Sequence, residues 1–404
     1  MEVGFRGETS LSPVKKAANW QLHGLIFATL YCVFMNAAPR AFGVPVMWAI
    51  AFLLALRLGG WQYFWGHYRR VVWGVLALTA FSVLSARLPG RAVVGGYELL
   101  RSLSLILPAL VLVAQDVPQQ VLNWLKAYVL IFSLLFLVMY LTGLAPPGPY
   151  EHMYAWAFAH FGNPHNLINV SALVLLGAVV LLVFEDRMPM RAVLAVLCAF
   201  SVWVQWVLQS EGAYLALGIC ACTWVALRYG GALRVLGGLG VCAGVAVYVL
   251  LMLNIELAKA SLGLSLESFE IRAIMNERLL ALVAERPWVG YGMNNFKGLA
   301  DTAVLGVLYV YPHQIYLEAL FSFGVLGCAL FVAVIHAVFR FSSRSAIVAD
   351  PLAMLGFLLV MYMAGKGLTD MKLIDIQPLG IFMLGAGFMA RRSLFSRPLQ
   401  NLEA

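Results

Sequence analysis

The chain is organised around IRAIMNERLLALVAERPWVGYGMNNF (residues 271–296) and YPHQIYLEALFSFGVLG (residues 311–327). Most of the remaining sequence is apolar, whereas this stretch concentrates arginine, histidine, glutamate, glutamine and asparagine. It combines an amphipathic segment, a proline, two glycines and a polar segment at the head of an apolar run. We therefore expect the rest of the chain to hold this stretch at one surface of a membrane.

The composition is that of an integral membrane protein. Of 404 residues, 62% are hydrophobic and 11% are charged, whereas soluble domains carry roughly 25% charged residues. Apolar runs repeatedly reach the roughly 20 residues that a spanning helix needs. The six cysteines lie within these runs, which favours buried thiols over disulfides or metal ligands. The sequence thus predicts an all-α polytopic fold.

Hydrophobic runs predict about twelve spans in three regions. Residues 1–253 form a bundle of about nine spans, residues 254–312 a large loop with amphipathic helices, and residues 313–404 the last three spans and a tail. The expected spans are 22–37, 44–60, 71–87, 93–114, 119–143, 166–185, 189–208, 211–229, 231–253, 315–339, 349–366 and 375–391.

The basic residues orient these spans. Loops on the N-terminal side carry most of the lysine and arginine, whereas the short loops on the other side carry only Arg40, Arg87, Arg91, Lys366 and Lys372. Because cytoplasmic loops are enriched in basic residues, both termini are assigned to the cytoplasm and loop 254–312 to the outer face. This bias explains most of the net charge of +8, so nucleic-acid binding is not expected.

The long loop contains an amphipathic helix. Apolar residues recur on one face at helical spacing, namely Ile271, Ile274, Met275, Leu279, Leu282 and Val283. Pro287 is expected to end the helix, and Gly290 and Gly292 to form a tight turn with exposed backbone N–H groups. The helix would lie along the membrane surface or cap the bundle.

His313 and Arg272 are the principal candidates for chemistry. His313 precedes an apolar span, where its imidazole could accept a proton from an attacking hydroxyl or serve only as a hydrated interfacial residue. Arg272 borders the apolar helix face, where its guanidinium could bind phosphate oxygens through two parallel hydrogen bonds or pair with a nearby glutamate. Arg101 would lie about 12 Å below the outer boundary, and a charge within a span marks a functional site by default.

The secondary candidates for the site are Glu211, Gln314, Tyr316, Asn295 and Lys366. Glu211 begins a predicted span, where the alternative is a carboxylate favoured by the helix dipole. The sequence has no Asp-x-Asp element and no histidine or cysteine spacing typical of zinc. We therefore expect neither a metal nor a cofactor.

The spacing of one motif resembles a known family. It comprises Arg272, Pro287, Gly290-Tyr291-Gly292, Phe296, His313, Tyr316-Leu317 and Gly324 to Gly327. The chain thereby resembles the O-antigen ligase and polymerase superfamily, bacterial inner-membrane proteins with a large periplasmic loop late in the chain. FGNPHNLIN at 161–169 is similar to an Asn-Pro-Asn-like element of that family. Where many members carry Ser-Arg-Gly, with an arginine thought to hold the donor, this chain has Ser210-Glu211-Gly212.

The resemblance implies a GT-C-like glycosyltransferase of the inner membrane with a periplasmic active site. Its donor would be a glycan on undecaprenyl diphosphate, and its acceptor in the ligase branch a sugar hydroxyl of lipid A-core, as in lipopolysaccharide biosynthesis. Membrane lipids are the other expected partners. Basic residues can stabilise the diphosphate leaving group without a metal, and an in-line displacement would invert the anomeric carbon. His313 is assigned as catalytic base, and Arg272 and Arg101 to the donor diphosphate.

Three alternatives to the ligase stay open at this level. The polymerase branch extends the glycan, and a third branch transfers it to a protein hydroxyl as a protein O-oligosaccharyltransferase. The compact length and modest loops favour the ligase. A lipid-linked glycan transporter would typically show internal repeats and helices broken at the midplane, and no clear repeat is present in the sequence.

The charge asymmetry generates a topology prediction. A cysteine placed at Ala300, in the predicted outer loop, should react with a membrane-impermeant maleimide in intact cells. A cysteine at Arg69, in a predicted cytoplasmic loop, is the matched control and should react only after permeabilisation. The reverse labelling pattern would overturn the predicted orientation.

Overall fold

The computed structural model describes most of the chain. The described residues are 18–35, 43–115, 118–141, 164–208, 211–253, 267–299, 303–304, 307–308, 312–340, 342, 344–369, 371–373 and 376–390.

The described residues are almost entirely helical. The helices are α1 (Asn19–Met35), α2 (Gly43–Arg57), α3 (Gly60–Ser85), α4 (Pro89–Leu103), α5 (Ile106–Ala114), α6 (Pro118–Leu141), α7 (Pro164–Phe184), α8 (Met188–Leu208), α9 (Glu211–Arg228), α10 (Gly231–Leu253), α11 (Glu267–Glu285), α12 (Phe296–Leu299), α13 (Ile315–Phe339), α14 (Arg344–Ala349), α15 (Pro351–Lys366) and α16 (Ile376–Phe388). Two short strands, β1 (Ala303–Val304) and β2 (Val307–Leu308), pair antiparallel.

Most helices coincide with the predicted hydrophobic runs and confirm an all-α membrane protein. The predicted loop at 61–70 was wrong, because α3 is already helical from Gly60. Within the described residues, six helices are long and apolar enough to cross a membrane, and the α2–α3 pair, bent by 99°, would make a seventh. Shorter apolar helices occupy Gly212–Arg228, Pro351–Lys366 and Pro378–Phe388. The count of about twelve spans therefore stays a prediction, since several of the helices are short.

Small residues bring α9, α15 and α16 into close contact. A Cβ atom on Gly356 of α15 would lie 2.4 Å from the carbonyl oxygen of Gly385 on α16, and one on Gly365 would lie 2.9 Å from the Cα of Ala216 on α9. Small residues at helix interfaces let backbones approach where lipid provides no hydrophobic driving force between helices. These contacts fix where the C-terminal end of α15 lies.

α13 is interrupted at Gly324, whose φ of 58° and ψ of −172° are not helical. The break leaves backbone groups without intrahelical partners, and the loop after α11 supplies partners for them. The bonds run from Tyr291 N to Phe321 O (2.8 Å), Gly292 N to Ser322 O (2.9 Å), Val325 N to Pro287 O (2.8 Å) and Leu326 N to Trp288 O (3.1 Å). We call residues 287–292 the clasp, because they hold both sides of the break.

α11 is the predicted amphipathic helix, and it packs against α13. Met275, Leu279 and Val283 are buried in one cluster with Phe321, and Leu317 and Leu320 of α13 pack on the same cluster. The helix ends at Glu285, two residues before Pro287, as the proline predicted.

The expectation of exposed N–H groups in the glycine turn was wrong. Tyr291 and Gly292 donate their N–H groups to carbonyls of α13, and Gly290 donates to the carbonyl of Arg286. Gly290 has a φ of 65° and Gly292 a φ of 85°. The absence of a side chain lets the turn approach the backbone of α13 closely, since a Cβ on Gly290 would lie 2.5 Å from Phe321 O. This turn is therefore already occupied by protein and is not an anion site.

An ion-pair cluster joins α6 to the C-terminal end of α7. Lys126 on α6 pairs with Glu185, and Arg187 Nε donates to the same carboxylate at 3.0 Å. The hydrogen bond from Arg187, reinforced by Lys126, lowers the pKa of Glu185 to about 2. The carboxylate is therefore ionised at neutral pH and holds the end of α7 to α6.

The clasp generates a stability prediction. Gly290→Ala should lower the melting temperature of the purified protein in detergent by at least about 3 °C. A left-handed conformation costs an L-residue roughly 1–2 kcal/mol, and the new methyl group would also collide with Phe321 O. Gly238→Ala is the matched control, since a Cβ there meets nothing within 4 Å. Equal melting temperatures for the two variants would contradict the clasp.

Candidate active site

The head of α13 docks onto the C-terminal end of α15. Ile315 donates its N–H to the carbonyl of Gly367 at 2.9 Å, and the Tyr316 hydroxyl donates to the carbonyl of Ala364 at 2.9 Å. These bonds satisfy carbonyls at the end of α15, which lack helical partners. The docking places the residues on either side of Ile315 against the last turn of α15.

His313 stands immediately before this docked helix in an unusual backbone conformation. Its φ is 58°, a left-handed value uncommon for a residue with a side chain. Gln314 follows in an extended conformation and caps α13, with its side-chain oxygen accepting from Leu317 N at 2.6 Å. The cap fixes the start of α13, and His313 is held half-buried at its edge.

A buried carboxylate and a buried ammonium lie in the docked turns. Glu318 in the first turn of α13 is 2% exposed, and Lys366 in the last turn of α15 is 0% exposed. Glu318 Oε2 accepts from Leu373 N at 2.7 Å. Each charge suits the dipole of its own helix end, and burial requires that each be compensated by polar partners.

The beginning of α9 completes this arrangement. A Cβ on Gly212 would lie 2.2 Å from Thr369 Oγ1 and 3.5 Å from Lys366 Nζ. The second residue of α9 therefore faces the Lys366 ammonium, with buried Thr369 beside it. The side chain of Glu211 lies outside the described residues. We call the region where the starts of α9 and α13 meet the C-terminal end of α15 the three-helix junction. It contains Gly212, His313, Gln314, Glu318 and Lys366.

Arg272 lies on the first half of α11, beside the cluster that joins α11 to α13. It is half-buried and follows Ile271, which packs on the same cluster as Leu317. Leu317 lies at the start of α13, where its N–H donates to the side chain of Gln314. The cluster therefore relates the helix that carries Arg272 to the helix that follows His313.

Arg101 lies near a carboxylate on its own helix. α4 begins at Pro89, four residues before the predicted start of the span, so Arg101 lies about 18 Å along the helix from its first residue. Its Nη1 is 3.8 Å from Glu98 Oε2 on the same helix. The helix breaks soon after, where the Ser104 hydroxyl donates to the Arg101 carbonyl at 2.5 Å.

Asn295 clamps the turn between α3 and α4. Its side-chain oxygen accepts from Leu88 N at 2.9 Å, and its amide donates to Met293 O at 2.9 Å. The residue is 0% exposed, and these bonds occupy its polar atoms. The contacts give it a structural part in holding the loop after the clasp to the bundle.

The structure thus brings some of the candidates together. Gln314 caps α13, and Tyr316 of the same helix bonds to the last turn of α15, which carries Lys366. Arg101 and Asn295 belong to other contacts. Glu318 and Thr369 were not among the predicted site residues. Glu318 could have been found, because a carboxylate inside an apolar span is costly and marks a site. Thr369 gives no comparable signal, since hydroxyl residues are common in membrane helices.

Comparison with known proteins gives one family. Residues 194–332 match the family model described as O-antigen ligase, which confirms the resemblance carried by the motif at 272–327. The match covers α8 to α13 in part or whole, including the clasp and His313. No curated protein and no solved structure matched the chain. Residues 194–332 of this membrane protein are therefore similar to the O-antigen ligase family.

The Asn295 contacts generate a stability prediction. Asn295→Ala should destabilise the protein by about 1–2 kcal/mol, because the Leu88 N–H loses its acceptor. We expect a lower melting temperature and faster hydrogen exchange in the peptide containing Leu88. Asn123→Ala removes an exposed amide on α6 and is the control. If both variants melt alike and exchange at Leu88 is unchanged, the clamp is wrong.

Proposed function

We propose that this chain, whose residues 194–332 match the O-antigen ligase family, transfers a glycan from undecaprenyl diphosphate to a sugar hydroxyl of lipid A-core. In this proposal the reaction takes place at the periplasmic face of the bacterial inner membrane. Residues 1–253 form the main bundle, residues 254–312 the periplasmic loop, and residues 313–404 the last spans and the cytoplasmic tail.

The observation that carries the proposal is the conformation of His313 at the three-helix junction. A left-handed backbone at a residue with a side chain costs free energy and persists only where the surroundings hold it, which is common at functional sites. Here the Gln314 cap and the docking of Ile315 on Gly367 hold it. An imidazole in this position can face an acceptor that approaches from the membrane surface.

The two substrates need opposite chemistry. The acceptor hydroxyl loses its proton as its oxygen bonds to the anomeric carbon, and the bond from that carbon to the diphosphate breaks. We assign the proton to His313 as general base. The diphosphate departs with the electron pair of the broken bond, so it needs positive charge around it and no proton. The configuration at the anomeric carbon inverts.

Arg272 is assigned to the departing diphosphate. A guanidinium offers parallel donors that match phosphate oxygens, and α11 is held to the helix of His313 by the Leu317 cluster. Arg101 is a weaker candidate, because its guanidinium already lies 3.8 Å from Glu98. Lys366 adds a buried positive charge at the junction and supports an anionic ligand there.

The proposal predicts a severe kinetic defect for His313→Asn. Asparagine tolerates a left-handed backbone better than other residues, so this change removes the base while sparing the fold. Glycan transfer by the purified protein should fall by about 100- to 10,000-fold, with donor binding and melting temperature nearly unchanged. His336→Asn, at the exposed far end of α13, is the control. Near wild-type transfer by His313→Asn would exclude the proton-transfer role.

The donor assignment is tested on α11 in the same assay. Arg272→Lys should lose most activity, because an ammonium cannot reproduce the two parallel bonds of the guanidinium, whereas Arg278→Lys on the same helix is the matched control. The acceptor is tested by supplying either lipid A-core or additional donor. Product formed only with additional donor would replace the ligase by a polymerase.

A further inference from the structure

A polar cavity lies where α6 begins and α7 ends. It encloses about 410 Å³, within the roughly 300–1,000 Å³ typical of ligand sites. Most of its lining side chains are charged or carry an amide, namely Gln119, Asn123, Lys126, Glu185, Asp186 and Arg187. The start of α7 bonds to α15 through Asn169 and Tyr362. The cavity therefore lies at the opposite end of α7 from α15 and is separate from the three-helix junction.

The ion pairs of the cavity leave several donors and one carboxylate unused. Both oxygens of Glu185 are occupied, because Lys126 pairs with Oε2 and the backbone N–H and Nε of Arg187 donate to Oε1. Within the described residues, the other N–H groups of the Lys126 ammonium and the Arg187 guanidinium make no hydrogen bond, and neither does the Asp186 carboxylate. The cavity therefore offers donors to an anion and an acceptor to a cation.

The two helix ends favour the same pair of charges. α6 begins at Pro118 and α7 ends at Phe184, and a helix carries a partial positive charge at its start and a partial negative charge at its end. An anion is therefore favoured beside α6 and a cation beside α7. A ligand that carries both charges a short distance apart matches the cavity better than a simple anion does.

An exposed apolar stripe leads away from the cavity along α6. The polar lining residues of this helix recur on one face at helical spacing. The same face continues with leucines that are 45%, 60% and 40% exposed, namely Leu130, Leu134 and Leu137. Only about 6 Å of helix separates Lys126 from Leu130, so the face changes abruptly from polar to apolar. A ligand that follows this face has a charged head and a hydrocarbon chain.

We infer that this cavity binds the headgroup of a membrane phospholipid that carries a phosphate and a primary ammonium, as phosphatidylethanolamine does. The phosphate binds Lys126 and Arg187, the ammonium binds Asp186, and an acyl chain follows the exposed leucines of α6. The lipid holds the start of α6 to the end of α7. This site is independent of the proposed function, because it involves neither the donor nor the acceptor of the glycan.

The first test compares headgroups on the same acyl chains. The delipidated full-length protein is titrated with dioleoyl phosphatidylethanolamine, phosphatidylglycerol or phosphatidylcholine, and bound lipid is counted by native mass spectrometry. Phosphatidylglycerol lacks the ammonium, and the ammonium of phosphatidylcholine has no N–H to donate. We expect phosphatidylethanolamine to bind about two- to fivefold more tightly than either, the range of an exposed ion pair. Equal affinities for the three lipids would overturn the inference.

The second test removes the partner of the ammonium. Asp186 is exposed, so Asp186→Asn should leave the fold intact. It should remove the preference for phosphatidylethanolamine over phosphatidylglycerol, because the ammonium loses its carboxylate. Glu277→Gln removes an exposed carboxylate from α11 and is the matched control, which should keep the preference. A preference that survives Asp186→Asn would contradict the ammonium site.

The third test locates the lipid. Phosphatidylethanolamine with a photoreactive diazirine on one acyl chain is added to the protein in phosphatidylcholine nanodiscs, and the α6 peptide that contains Leu130 should be labelled. Asn123→Trp places a large ring in the cavity lining and should remove most of this label. Leu135→Trp places the same ring on the opposite face of α6 and should keep it. Label mainly outside α6 and α7 in the unmodified protein would overturn the inference, even if Asn123→Trp does not fold.

A soluble competitor separates a lipid from a free zwitterion. Glycerophosphoethanolamine has the same headgroup without acyl chains. If it displaces the label at the same concentration as unlabelled phosphatidylethanolamine, the cavity takes a soluble zwitterion and the lipid is wrong. Displacement only by the intact lipid supports the inference. These measurements require no glycan transfer, so their failure leaves the proposed function standing, and loss of the proposed function leaves them unchanged.

Discussion

The interruption of α13 at Gly324 is the constraint on which the surrounding structure depends. A helix in a bilayer must satisfy its backbone groups within the protein, because lipid offers no hydrogen bonds. The break at Gly324 frees two carbonyls and two N–H groups, and the clasp bonds to all four. Leaving one such buried group unpaired costs about 1–3 kcal/mol, so the break and the clasp can exist only together. The loop after α11 therefore packs as part of the helix bundle.

α13 is also held at its N-terminal end, and these contacts position the candidate site. The Gln314 cap starts α13, and Ile315 and Tyr316 bond to the end of α15. Between this docked turn and the break lies only a short helical stretch, packed against α11. A segment restrained at both ends and along one side can hold His313 in a strained conformation. Such restraint is what a catalytic group needs, since chemistry depends on geometry held before the substrate arrives.

The three-helix junction lies beside an apolar cavity, so two environments meet within a short distance. Glu318 and Lys366 are buried charges, compatible with the protein interior only because helix ends and hydrogen bonds compensate them. Beside them, an apolar cavity of about 330 Å³ is lined by residues of α13, α15 and α16, among them Ile315 and Ala364.

The sequence by itself determined where the helices lie along the chain, but not how they pack against one another. Hydrophobic run length located the helices, apolar spacing identified the buried face of α11, and Pro287 marked its end, because each of these depends on neighbouring residues. The motif around His313 identified the family for the same reason. Only the tertiary structure decided the hydrogen bonds of the Gly290 turn and the contact of Asn295 with Leu88. It also decided the partner of Arg101 and the docking of α13 on α15. Leu88 and Asn295 are 207 positions apart, and periodicity states which face of a helix is apolar without stating what will cover it.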